Sequence, residues 1–131
     1  MLDIICVAMT QRLNLRTNLA RQYHSHSFLL TYSVSPYTET DRQHQNQAVR
    51  LRQKLNRIEV EEWVKLETVE TAFKGTVHLN ETTITQKRSE AENIAWQQFK
   101  EVMDSLGAYK DTTVHVAMMV QGLGELIEFK L

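Results

Sequence analysis

The stretch SEAENIAWQQFKEVMDSLG, residues 89–107, decides how the rest of the chain is read. Ser89 followed three residues later by Glu92 has the pattern of a capping box. In that pattern the serine oxygen accepts from an N–H of the first turn and the glutamate reaches back to the cap. Ala91, Ile94, Ala95, Phe99, Val102, Met103 and Leu106 recur every three or four residues, so they cover a wide arc of one helix. Asn93, Gln97, Lys100, Glu101 and Asp104 fill the opposite arc. Gly107 can take the left-handed conformation that closes such a helix. The apolar arc needs a surface to bury against, and the flanking segments supply strands.

Downstream, Val114, Val116, Met118 and Val120 occupy one face of a strand, and His115, Ala117 and Met119 the other. Gly122-Leu123-Gly124 makes a hairpin turn into a returning strand that carries Ile127, Phe129 and Leu131. A strand with few polar residues on either face is expected to be covered on both. Upstream, residues 59–68 and 71–80 read as strands. Val60, Val64 and Leu66 share one face of the first; Phe73, Val77 and Leu79 share one face of the second, with Gly75 as a bulge. Residues 82–87 are rich in β-branched side chains and are expected to prolong the sheet.

Earlier still, Phe28, Leu30, Tyr32 and Val34 alternate through a strand over 27–34, ended by Ser35-Pro36-Tyr37. A helix is expected from about Thr40, capped with Gln43, with His44, Ala48, Leu51, Leu55 and Ile58 as its buried stripe. Residues 10–23 suit a helix by Leu15, Leu19 and Tyr23 and a strand by Leu13, Leu15, Thr17 and Leu19.

The element order predicts an α+β fold of the ferredoxin-like (split βαβ) kind. Its antiparallel sheet carries two helices on one face and an extra C-terminal strand. One domain is expected over residues 1–131, with 1–24 as an N-terminal segment of unassigned structure. A single sheet with both helices on one side leaves its other face bare, a natural site for self-association.

Over residues 27–131 this order resembles that of small dimeric ferredoxin-like proteins, including the CRISPR-associated endonucleases of that shape and the dimeric α+β barrels. The resemblance implies a homodimer. For the endonucleases it also implies a metal-binding aspartate near the end of the first strand. Here that stretch reads Tyr32-Ser33-Val34-Ser35 and holds no carboxylate, so metal-dependent cleavage is not carried over. The barrel resemblance would imply a ligand cavity, for which Tyr32, His115 and Met119 are the expected lining.

A chain of 131 residues can bury a core without metal or disulfide staples. Cys6 is the single cysteine, so no internal disulfide and no cysteine zinc cage is expected, which suits a reducing, cytoplasmic setting. The apolar run at 2–9 is too short to span a bilayer, and Met9 is an alternative start. No membrane partner and no cofactor are expected.

Charge is distributed unevenly. Residues 9–57 hold eight Lys/Arg and two acids, and residues 58–131 hold seven Lys/Arg and thirteen acids. Arg50, Lys54 and Arg57 lie at i, i+4 and i+7 on one helical face, with Arg42 near enough to extend it and Arg12, Arg16 and Arg21 adding to the field. Such a face suits phosphates; the competing reading is a solvated face, or one paired with Glu59, Glu61 and Glu62. Trp63, Trp96, Met103, His115, Ala117 and Met119 are candidates for a partner or dimer interface, against an ordinary core-edge role.

His24, His26, His78 and His115 invite a metal reading, but no ligand-spaced acid accompanies them, and no metal site is expected. Glu59, Glu61 and Glu67 alternate onto one face of an edge strand with nothing to bury them, so no acid–base pair is expected. The sequence holds no phosphate-cradling glycine loop and no nucleophile elbow. The expectation is therefore a small cytoplasmic, self-associating protein that binds a macromolecule and has no catalytic residues. The alternative is a nucleic-acid binder or degenerate nuclease relative using the basic helix face. A third is a ligand-binding enzyme of the dimeric barrel type.

Overall fold

A computed structural model describes residues 24–131. The readings made for residues 1–8 and 10–23, and for Cys6, Arg12, Arg16 and Arg21, lie outside the described residues. In chain order the elements are β1 (His24–Pro36), α1 (Arg42–Leu55), β2 (Trp63–Lys65), β3 (Ala72–Leu79), α2 (Ile84–Leu106), β4 (Thr112–Val120) and β5 (Ile127–Lys130). The strands form one open sheet in the order β2-β3-β1-β4-β5, and every neighbouring pair is antiparallel. The fold is α+β, and its order is compatible with the split βαβ arrangement extended by β5 beside β4.

Alternation along the strands separates two faces. Phe28, Leu30, Tyr32 and Val34 of β1 are buried, as are Phe73, Val77 and Leu79 of β3 and Val114, Val116, Met118 and Val120 of β4. They form one core with Ala48, Leu51 and Leu55 of α1 and Ala91, Ala95, Phe99, Val102 and Met103 of α2. Both helices therefore cover the same side of the sheet. Phe99 is wholly buried, with its ring 5.4 Å from that of Tyr32 in an edge contact.

Helix α2 starts earlier than its sequence predicts. Thr83, not Ser89, is the cap: its Oγ1 accepts the Gln86 N–H at 3.1 Å, and the Gln86 side chain accepts the Thr83 N–H at 3.4 Å. Residues 84–87 are thus helix and do not extend the sheet. Two side chains of α2 hold this first turn down. The Glu90 carboxylate accepts the N–H groups of Asn80 and Glu81 at 2.9–3.1 Å, which turns the chain out of β3. The Arg88 guanidinium donates to the carbonyls of Leu123 at 2.8 Å and Leu126 at 3.3 Å, and also to that of Glu125, which ties α2 to the β4–β5 turn. Gly107 closes the helix at φ 62°, as its type predicts.

Asp41, not Thr40, caps α1, accepting the His44 N–H at 3.1 Å. β2 is shorter than predicted and shows the opposite face to the core. Trp63 packs its ring 5.2 Å from Phe28 and 5.7 Å from Phe73, while Val64 is 54% exposed. The cause lies just before the strand, where Glu62 has a left-handed φ of 68°. Gly75 is a regular partner of Phe28 and Trp63 and is not a bulge. A Cβ there would sit 1.9 Å from the Glu62 carbonyl oxygen, so only glycine admits this approach. That carbonyl accepts the Thr76 N–H at 3.1 Å.

Candidate functional site

Two surfaces on opposite sides of the chain collect most of the predicted site residues. The first is the open face of the sheet. Strand register places Val64, Lys74, Leu29 and Met119 in one row across β2, β3, β1 and β4. Val64, Leu29 and Met119 are 54%, 50% and 51% exposed, and Leu126 beyond them is 43% exposed. The adjacent row runs Thr31, Ala117, Glu128, and the next pairs Ser33 with His115 and His115 with Lys130. His115 is exposed and Ala117 half-buried. The covering that their strand pattern predicts for this face is not supplied by the described residues.

Near one corner of this face His78 is clasped between neighbours. Its Nδ1 lies 3.0 Å from the Ser25 Oγ, and its Nε2 lies 2.7 Å from a Glu62 carboxylate oxygen. With the Nε2 proton donated to Glu62, Nδ1 accepts the serine proton. Serine, imidazole and carboxylate in series have the parts of a nucleophilic relay. The His78 and Glu62 side chains are 41% and 43% exposed, however, and a relay of that kind works where water is excluded. The clasp is read as a fastening of the strained Glu62 segment onto the sheet.

The second surface is a cleft of about 370 Å³ at the C-terminal end of α1, lined by Arg50, Gln53, Lys54, Arg57, Ile58 and Leu106. Arg50 and Lys54 meet there as their helical spacing predicts, while Arg57, expected on the same helix, joins them from the turn just past Leu55; each is exposed. Arg42 opens α1, two turns away from Arg50, and does not line the cleft. Among the described residues, the base–carboxylate contacts are those of His44, His78 and Lys100, so Glu59, Glu61 and Glu62 do not neutralise the basic face. Arg50 keeps one donor on the Gln47 side-chain oxygen at 2.9 Å. Arg52, which shares the helix, is diverted to the Val34 carbonyl at 2.9 Å. Gln53, Ile58 and Leu106 were not predicted as site residues. Leu106 reaches the cleft from the other helix, a juxtaposition no local pattern encodes.

The remaining candidates scatter. Met103 is wholly buried among core side chains and has no surface to offer a partner, which corrects its assignment to an interface. Trp63 is a half-buried core-edge residue on the helix side of the sheet. Trp96 is half-buried on α2, with the Lys100 ammonium 6.0 Å from its ring. Lys100 itself pairs with Asp104 at 2.8 Å, and that hydrogen bond raises its pKa. Tyr32 lies on the helix side, where its hydroxyl donates to the Asn56 side-chain oxygen at 2.6 Å. His115 and Met119 lie on the other side, so no single cavity of this chain can gather all three. Burial, with the Glu70 charge adding to it, pushes the Tyr32 hydroxyl up to about 12. His26 and His78 also face opposite sides of the sheet. Among the described residues no cluster of three or more His, Cys, Asp or Glu side chains is placed to hold a metal. No helix among them is long and apolar enough to cross a membrane.

Over the described residues the chain is thus an α+β protein with an open five-stranded antiparallel sheet. No family model, no curated protein and no solved structure matches it.

Proposed function

We propose that this protein acts by binding and performs no chemistry, and that it self-associates as a homodimer through the open face of its sheet to present its outer surfaces to a macromolecular partner. The cross-strand pair of Leu29 and Met119, with Val64 beyond Lys74 in the same row and each of the three about half exposed, carries this reading. Isolated exposed aliphatics are ordinary, but Leu29 and Met119 side by side on an open sheet face favour association. Five strands spaced about 4.8 Å apart make a face roughly 24 Å wide, and a length of about 20 Å gives on the order of 500 Å² per copy. Two such faces bury about 1,000 Å², near the lower bound for a specific interface.

Charge supports the pairing. Lys74 lies on one side of β1 and Glu128 on the other. A twofold axis passing near β1 brings the lysine of one copy toward the glutamate of its partner, as an isologous contact requires. A cytoplasmic setting fits a chain with a single cysteine.

Sedimentation velocity on the full chain tests the proposal. The wild type should sediment as a dimer at micromolar concentration, while Leu29→Asp and Met119→Asp should sediment as monomers with unchanged circular dichroism. A monomeric wild type, or dimers that survive both substitutions, would overturn it.

A further inference from the structure

We infer that the cleft at the end of α1 is an anion site that takes the phosphodiester backbone of a nucleic-acid strand. This goes beyond the self-association reading and rests on a different surface. Three observations carry it.

Arg50, Lys54 and Arg57 converge on one concave surface. Arg50 and Lys54 are one helical turn apart, about 6 Å of rise, and Arg57 follows from the turn just past the helix end at Leu55. Three cations along one edge can each meet a separate phosphate of a strand. A lone phosphate group would engage only part of that edge. Second, none of the three cations is ion-paired among the described residues. The helix dipole accounts for a basic residue in a last turn, but not for three cations gathered over a common floor. Third, that floor is carbon. Ile58 and Leu106 are partly buried against the core, and the Gln53 amide lines the same cleft. Aliphatic carbon beneath a cationic rim suits a sugar–phosphate chain, with sugars below and oxygens at the guanidinium groups. No aromatic side chain lines the cleft, so the contacts position a backbone without reading bases.

The test is fluorescence anisotropy of the full chain with labelled single-stranded oligo(dT) and oligo(U), across a salt series, with polyglutamate as competitor. Three contacts on a single strand give a log–log salt slope near −2, or roughly 16-fold weaker binding at 200 mM than at 50 mM salt. Arg50→Glu with Lys54→Glu should weaken binding more than about tenfold and bring the slope to about −0.7, one contact's worth. Lys87→Glu with Lys110→Glu makes the same charge change away from the cleft and should leave both nearly unaltered. Arg50→Gln with Lys54→Gln serves as a milder pair, and circular dichroism verifies folding of each variant. An unchanged slope in both cleft variants overturns the inference. So does a wild type that fails to bind at 50 mM salt. Displacement of the oligonucleotide by polyglutamate at equal charge concentration also overturns it, because the cleft would then be a docking site for an acidic protein.

Discussion

Replacing Gly75 with alanine should strike the least tolerant backbone contact in the sheet. The new Cβ would lie 1.9 Å from the Glu62 carbonyl oxygen, 3.0 Å from its carbon and 3.1 Å from the Phe28 ring. Real contacts of that kind need about 3.4 Å, so the Glu62 carbonyl must retreat by more than an ångström. Retreat breaks its bond from the Thr76 N–H and loosens the register of Trp63 against Gly75. Overpacking costs about 1–3 kcal/mol and the lost hydrogen bond about 1 more, for a total of about 2–4 kcal/mol. Urea unfolding followed by circular dichroism measures the loss. A Trp96→Phe background leaves Trp63 as the sole tryptophan, and its emission should shift to the red as its packing on Phe28 and Phe73 loosens. Position 62 supplies the complement. Its left-handed φ of 68° costs a non-glycine residue about 1–2 kcal/mol, whereas the exposed contact of its carboxylate with His78 is worth under about 1 kcal/mol. Glu62→Gly should therefore match or exceed wild-type stability, and Glu62→Ala should fall below Glu62→Gly. An unaltered midpoint and emission in Gly75→Ala, or an alanine at 62 that outlasts glycine, would refute the strained approach.

Phe99→Ala empties the centre of the core and should cost about 3–5 kcal/mol in denaturant unfolding; an unchanged midpoint would remove Phe99 from the core. The raised Tyr32 pKa makes stability depend on alkaline pH. Between the ordinary value near 10 and the folded value of about 12 the unfolded chain has lost the proton that the folded chain keeps, so stability falls as pH rises through that window. The full effect is on the order of 2–3 kcal/mol, present below pH 10, and Tyr32→Phe should remove that part of the slope. Parallel wild-type and variant stability curves across this range would contradict the assignment.

The fold was legible where one face of an element is buried and its period is undisturbed. β1 and β4 alternate without interruption, and the α2 stripe leads to Gly107. Two misreadings share a physical origin, in that local preference competed with a tertiary restraint. Thr83 and Gln86 carry the same cap pattern as Ser89 and Glu92, but Thr82, Thr83, Ile84 and Thr85 favour strand intrinsically. Glu90 and Arg88, reaching to the β3 exit and the β4–β5 turn, decide for helix. In β2 a shift of one residue exchanges the faces, and the Glu62 kink sets which face Trp63 takes. Nothing in a run of glutamates announces that kink; Gly75, thirteen residues on, is its only trace. Arg50 and Lys54 were legible because helical spacing is local. The carbon floor was not, since Leu106 comes from another helix and Ile58 lies beyond the end of its own.

The two proposed surfaces also constrain each other. The helices cover one side of the sheet, and the exposed apolar row lies on the other. A dimer built through the open faces therefore leaves both basic clefts outward, separated by two sheets and two helix layers, about 40 Å in total. A hexanucleotide fills one cleft and cannot bridge that span, whereas a strand of several tens of nucleotides can wrap around to the second. The second contact is then intramolecular and raises apparent affinity without any new contact. Leu29→Asp should leave hexanucleotide binding unchanged while lowering the affinity for the long strand at least about tenfold, because only avidity is removed. Equal losses on both lengths would mean that Leu29 itself touches the strand, placing nucleic acid on the sheet face and a partner elsewhere.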